Sequence, residues 1–152
     1  MKSLKKACFY ILLSITLLNL VMSNAYPQIS DSLVGSWISY DDDTNQPAAI
    51  VLITEKNGFF NGVITKVLDP NSATTCDKCS NARKGKPLLG MEILSGLKRN
   101  GDLYSGGLIL DPDDGETYRA EMRLKDQGSK VELRAYIGIP LLGRTQTWIR
   151  EK

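Results

Sequence analysis

Residues 117–124 read TYRAEMRL, and residues 130–137 read KVELRAYI. In both stretches apolar and polar side chains alternate with a period of two, which is the pattern of a β-strand with one buried and one solvated face. The residues between them, 126–129, favour a turn. The two stretches are therefore predicted to be antiparallel neighbours over one core. The expected core face consists of Tyr118, Ala120, Met122, Leu124, Val131, Leu133, Ala135 and Ile137.

Six further β-like runs flank this pair, and turn residues separate them. They cover residues 34–40, 48–55, 59–68, 91–98, 102–110 and 144–149. Asn57-Gly58 and Asn100-Gly101 each join two runs, and Asn-Gly between apolar runs is the strongest short signal for a β-hairpin.

The connections also predict how the strands are arranged. Short links between successive strands favour an up-and-down order, and closing eight strands removes exposed edges. Glycines within the runs suit sharply bent barrel strands; these are Gly62, Gly96, Gly106 and Gly107. We predict an all-β fold, a single antiparallel up-and-down barrel of about eight strands, with a β-sandwich as the alternative.

The N-terminus has the three-part layout of a secretory signal peptide. Three lysines precede an apolar run over 7–22, and small residues occupy positions −3 and −1 of a cut before Tyr26. A membrane anchor is the alternative, but 16 residues that include polar side chains are short for a bilayer. We predict a signal peptide at 1–25, a single domain at 26–152, and export to the periplasm or the cell exterior.

Composition excludes several classes of function. Without the three leader lysines, 16 basic and 17 acidic side chains remain, so no positive stripe is expected to follow a phosphate backbone. We expect no nucleic-acid partner and no integral membrane segment after signal cleavage. The chain has no histidine, which removes Ser-His-Asp and Cys-His catalysis and the commonest metal ligand. The prediction is a non-enzymatic protein without cofactor or metal.

Cys76 and Cys79 are the cysteines of the predicted domain, and three roles are open for them. A structural disulfide suits an oxidising compartment. A redox pair normally stands at a helix N-terminus, whereas this pair lies in a turn-rich loop over 69–88. Half of a zinc site would need two further Cys or His ligands, which the domain lacks. The disulfide is favoured.

Large aromatic side chains and one polar strand face are the candidate ligand-binding groups. They are Trp37, Tyr40, Tyr136, Arg144, Gln146 and Trp148. Arg144, Gln146 and Trp148 share one face of the last run. If that face points inward, its polar groups need partners, and a ligand carboxylate is one candidate for the arginine. The alternatives are an outward face and aromatic core packing. The acidic stretches 41–43 and 111–114 are interpreted as turn chemistry, because calcium-loop spacing fails.

Several short segments resemble a known family. They are GSW at 35–37, LDP at 68–70, CDKC at 76–79, GKPLLGM at 85–91, ILSGLK at 93–98, YSGG at 104–107, ILDP at 109–112, YIG at 136–138 and GRTQTW at 143–148. In this order they resemble the exported bacterial proteins catalogued as domain of unknown function 2147, with Phe60 and Asn61 as departures from the pattern. The resemblance implies one exported domain and supplies no activity.

Gly35-x-Trp37 on the first run also resembles the lipocalin and avidin barrels, which hold small apolar ligands. In those barrels the tryptophan closes one end under an arginine of the last strand, which here implies Arg144 or Arg150 stacked on Trp37. The sequence thus predicts a small-molecule or partner-binding barrel, with a small apolar or carboxylate-bearing ligand. The alternatives are a thiol/disulfide redox protein acting through Cys76 and Cys79, and a structural envelope-interaction domain.

Overall fold

The chain folds into a closed barrel of eight antiparallel strands in sequence order. A computed structural model describes residues 31–152, and the predicted signal peptide lies outside this part of the chain. The strands are β1 (Gly35–Tyr40), β2 (Pro47–Lys56), β3 (Phe59–Val67), β4 (Glu92–Asn100), β5 (Leu103–Leu110), β6 (Thr117–Lys125), β7 (Lys130–Tyr136) and β8 (Arg144–Arg150). The predicted fold class is confirmed. Residues 31–152 contain no helix that is both long enough and apolar enough to cross a membrane.

The barrel closes where β8 returns to pair with β1. Trp37 lies opposite Arg150 and Ile38 opposite Ile149, in antiparallel register. Every strand therefore has two partners, so none of the eight presents an unpaired edge.

The two Asn-Gly hairpins differ in their turns. Asn57 and Gly58 both have positive φ, 55° and 80°, as a type I′ hairpin turn requires. At the second hairpin Asn100 pairs with Leu103, so the two central residues are Gly101 and Asp102. Only the first of these, Gly101, has a positive φ, of 64°. The predicted hairpin between β4 and β5 is present, but its turn lies one residue further along the chain than the Asn-Gly signal indicated, because Asn100 is still paired.

The alternating stretches that predicted the fold build the core of the barrel. Ala120 and Met122 on β6, and Val131, Leu133 and Ala135 on β7, are buried. Ile137 departs from the expected face: it follows the end of β7 and is exposed. The alternation continues one residue beyond the strand, where the chain leaves the sheet for a loop.

Trp37 closes one end of the barrel. Its side chain is fully buried, and its indole Nε1 donates a hydrogen bond of 2.8 Å to the carbonyl oxygen of Leu33. The guanidinium of Arg150 stacks on the ring, 4.1 Å from its centre. Of the two arginines considered for this role, Arg150 fills it and Arg144 lies at the opposite end. We call the end that Trp37 fills the closed end.

Arg150 also ties the closed end to the chain before β1 and after β6. It donates to the carbonyl oxygens of Gly128 (2.6 Å), Val34 (2.9 Å) and Ser32 (2.7 Å). A Cβ atom at position 35 would lie 2.6 Å from the guanidinium, so only a glycine lets the arginine approach. Gly35, Trp37 and Arg150 therefore depend on one another: the glycine leaves room for the guanidinium, and the guanidinium covers the tryptophan ring.

The loop between β3 and β4 is held by a disulfide between Cys76 and Cys79, both of which are buried. The loop forms its own small ladder, in which the Cys76 amide donates to Lys86 and the Leu88 amide donates to Thr74. The Cys76 sulfur lies 3.7 Å from the carbonyl oxygen of Pro112. The loop is therefore packed against the β5–β6 turn.

We expect Arg150→Met to destabilise the protein by about 2–4 kcal/mol, because it removes the stacking on Trp37 and three charge-assisted hydrogen bonds. Urea denaturation followed by circular dichroism measures the change. Arg123→Met is the control: its exposed pair with Asp102 should be worth less than about 1 kcal/mol. Equal losses in the two variants would show that Arg150 has no special role in the fold.

Replacing both Cys76 and Cys79 with serine should lower the free energy of unfolding by about 2 kcal/mol, since the disulfide closes a very short loop. Hydrogen exchange should then be faster at the amides of residues 76 and 88, while the barrel strands keep their protection. Unchanged exchange in the loop would mean that its packing, rather than the disulfide, holds it.

Candidate functional site

A cavity of about 510 Å³ occupies the end of the barrel opposite Trp37. It opens between the β1–β2 turn, the β5–β6 turn and the disulfide loop. We call this the open end. The inner wall is apolar, and its large side chains are Ile64, Leu88, Ile93, Ile109, Leu133 and Trp148. Small residues, Ala48, Ala49 and Ala135, also line the cavity, so the wall carries little side-chain bulk there.

Arg144, at the start of β8, lies at the open end between two carboxylates. Its guanidinium pairs with Asp42 at 3.1 Å on one side and with Asp111 on the other, and it lies 5.4 Å from the centre of the Tyr118 ring. Partial burial acts to lower the pKa of Arg144, but the hydrogen bond and charge of Asp111 and the charge of Asp42 outweigh it and raise the pKa. The arginine is therefore a fixed cation with its counterions in place.

Gln146 and Trp148 continue this network into the barrel. The Trp148 indole Nε1 donates to Gln146 Oε1 at 3.1 Å, and Gln146 Nε2 donates to Asp42 Oδ1 at 2.8 Å. Within residues 31–152, no buried side-chain nitrogen or oxygen lacks a hydrogen-bond partner. The polar face of β8 thus points inward, and aspartates of this chain meet its need for partners.

The two acidic turns that hold Arg144 are built alike. In each, an aspartate follows the strand, and its backbone carbonyl oxygen accepts a hydrogen bond from the amide four residues later, that of Asn45 in one turn and of Gly115 in the other. Both of these later residues have positive φ, 55° and 79°. The acidic stretches are turn chemistry, as predicted, and they also line the cavity, which sequence reasoning missed. The sequence signal that could have placed the acidic turns at the cavity was Arg144, since an inward-pointing arginine needs a carboxylate partner.

Two carboxylates of the acidic turns accept hydrogen bonds from residues that are close in the sequence. Asp41 Oδ1 accepts from the Thr44 hydroxyl at 2.6 Å and from the Thr44 amide at 2.7 Å, and these bonds lower the pKa of Asp41. Asp114 accepts from the Tyr118 hydroxyl at 2.6 Å, which raises the pKa of the tyrosine. For Asp113, partial burial and then the nearby charges of Asp111 and Asp41 raise the pKa of the carboxyl.

Four of the six predicted site residues line the cavity, and two lie elsewhere. Tyr40, Arg144, Gln146 and Trp148 line the cavity together. Trp37 closes the other end. Tyr136 belongs to the outward face of β7, where its hydroxyl lies 3.1 Å from Glu121 Oε1. Burial, together with that hydrogen bond, raises the pKa of Tyr136. Lys78, from the disulfide loop, lines the cavity and was not among the predicted residues.

The loop between β7 and β8 places large aliphatic side chains in solvent beside the open end. Ile137, Ile139, Leu141 and Leu142 are 54–81% exposed. Arg134 holds the loop from below, donating to the carbonyl oxygens of Pro140 and Leu141 at 2.8 and 3.0 Å. We call residues 137–142 the apolar loop.

Among residues 31–152, no cluster of three or more Cys, Asp or Glu side chains is arranged to hold a metal ion.

Comparison with known proteins supports the fold and identifies the family. The structure is similar to that of protein HP1028 from the human pathogen Helicobacter pylori, which is described as belonging to the lipocalin family. The TM-score is 0.70 at 23% identity, over 80% of this chain and 84% of that one. Among curated proteins no relative is found. A family profile described as "uncharacterized protein conserved in bacteria", domain of unknown function 2147, matches residues 35–150. Since that match spans most of the sequence, the chain belongs to the family of domain of unknown function 2147.

Proposed function

We propose that the protein binds a small, largely apolar molecule inside the barrel and does no chemistry on it. The observation that supports this is the cavity of about 510 Å³, which has a polar, charged mouth and apolar side chains, among them Ile64, Ile93 and Ile109, farther inside. Ligand pockets commonly have such a volume and such an arrangement, in which an apolar body is enclosed and a few polar groups fix its orientation.

The distribution of side chains supports a cavity that is open at one end. An eight-stranded barrel is just wide enough to be filled by side chains or to hold one small ligand. Here Trp37, Leu97, Tyr104 and Met122 pack the barrel away from the open end, and all four are nearly or fully buried. Ala48, Ala49 and Ala135 line the cavity at the open end, where their small side chains leave space. A molecule would enter at the open end, beside the two acidic turns that Arg144 bridges, and would contact the packed half of the barrel.

The disulfide fits a structural role better than a redox role. Cys76 and Cys79 are almost completely buried, whereas exchange requires access of a thiolate to the sulfurs. The element that follows them is a three-residue 3-10 helix, Asn81–Arg83, too short to supply a helix dipole to a thiol. A disulfide is also the expected state in an oxidising compartment, so we propose export to the periplasm or beyond.

A neutral apolar dye, N-phenyl-1-naphthylamine, tests the proposal because its fluorescence rises when it leaves water. We expect saturable binding with a stoichiometry of one. Ala49→Phe adds a ring within the cavity and should weaken binding at least about ten-fold, equivalent to the roughly 1.4 kcal/mol of steric cost typical of overpacking.

Leu52→Phe is the matched control, since it adds a ring on the same strand at a side chain that is 37% exposed and outside the cavity lining. It should leave dye binding unchanged. Equal binding by the wild type and both variants would place the dye on the outer surface, for example on the apolar loop, and would contradict the proposal.

A further inference from the structure

Arg144 is not free to receive a ligand carboxylate. Its guanidinium already pairs with Asp42 and Asp111, one on each side. A third carboxylate at this guanidinium would be repelled by both aspartates, or would displace one of them and leave it without its cation. The carboxylate-bearing ligand expected from the sequence therefore does not fit the observed arrangement.

The charges that line the open end are mostly negative. Six aspartates line the cavity, against two cations, Lys78 and Arg144. With Asp42 and Asp111 assigned to Arg144, four carboxylates face Lys78 alone. They are Asp41, Asp43, Asp113 and Asp114. The open end thus carries a negative field that attracts cations and repels anions.

Two of these carboxylates have no partner of their own. Within residues 31–152, the side-chain oxygens of Asp43 and Asp113 form no hydrogen bond and no ion pair. Burial and the charges of Asp111, Asp41 and Asp114 raise the pKa of Asp113, and Lys78 offsets this only in part. A positive group at this position would relieve that repulsion, whereas a neutral or negative group would not.

Two aromatic side chains line the same cavity as these carboxylates. Tyr40 and Trp148 both line the cavity, and a ring face attracts a desolvated cation. The carboxylates of the two turns lie at the mouth of the cavity and apolar side chains line its interior, so polarity falls along the cavity. A molecule with a cationic head and an apolar body matches that gradient in one orientation.

We propose that the ligand of the barrel is a cationic amphiphile, an amine or quaternary ammonium compound, whose charged head lies at the open end beside Asp43 and Asp113 and whose apolar body occupies the cavity. This inference rests on the proposed function and adds the charge of the ligand to it. Asp43 and Asp113 would contact the head, and Ile64, Ile93 and Ile109 the body.

Three probes with the same ten-carbon chain test the charge: decyltrimethylammonium, decanol and decanoate, each titrated calorimetrically below its micellar concentration. We expect the cation to bind tightest, about ten-fold above decanoate, and the difference to shrink as salt is raised. The removal of charge at the rim forms the second half of the test.

Asp43→Asn combined with Asp113→Asn removes two unpaired carboxylates without touching the pairs of Arg144. It should weaken decyltrimethylammonium about three- to ten-fold and leave decanol unchanged. Asp102→Asn combined with Glu151→Gln makes the same change in net charge at the closed end, outside the cavity, and should leave all three affinities unchanged.

The outcomes distinguish the two claims. Failure of all three probes to bind would contradict the proposed function itself. Binding of decanoate as tightly as the cation would leave the proposed function standing and overturn the charge of the ligand. A preference for the cation that is unaffected by the rim variant, or equally reduced by the closed-end variant, would overturn the assignment of the head group to the acidic turns.

Discussion

The stacking of Arg150 on the buried ring of Trp37 is the contact on which the barrel depends. It lies at the seam where the last strand meets the first, so it joins residues that are 113 positions apart in the sequence. The same guanidinium binds three carbonyl oxygens of the adjoining segments. Only a glycine at position 35 leaves it room, and the barrel is closed and plugged at this end by a single set of contacts.

Because the closed end is filled, the space within the barrel lies at the other end, where β1, β5 and β8 meet the acidic turns. There the chain uses its second inward arginine differently. Arg144 bridges the β1–β2 turn and the β5–β6 turn through Asp42 and Asp111, and the disulfide loop packs against the second of these turns. Ion pairs thus connect the two acidic turns at the open end. The aspartates that take no part in these pairs give the open end its negative charge.

The eight strands followed from period-two alternation and turn residues, because both signals are local. Arg144, Gln146 and Trp148 could be grouped by strand parity, but whether their face pointed inward depended on closure of the barrel. Their partner Asp42 is 104 residues from Gln146 along the chain, so no local pattern linked them. Tyr136 was assigned to the site because it is aromatic, yet strand parity already placed it opposite Leu133 and Ala135. The ends of two strands could not be read from the local pattern. Asn100 was expected in a turn but pairs with Leu103, and Ile137 was expected on the core face but follows the end of β7.

The most direct test of an open, ligand-binding cavity is methyl NMR of the protein labelled at isoleucine, titrated with decyltrimethylammonium. Ile64, Ile93 and Ile109 line the cavity, while Ile137 and Ile139 lie on the exposed apolar loop beside it. We predict that the three cavity methyls shift in a saturable manner and that the two loop methyls do not. Shifts confined to Ile137 and Ile139 would show that the apolar loop, rather than the interior of the barrel, is where such molecules bind, and would contradict this account.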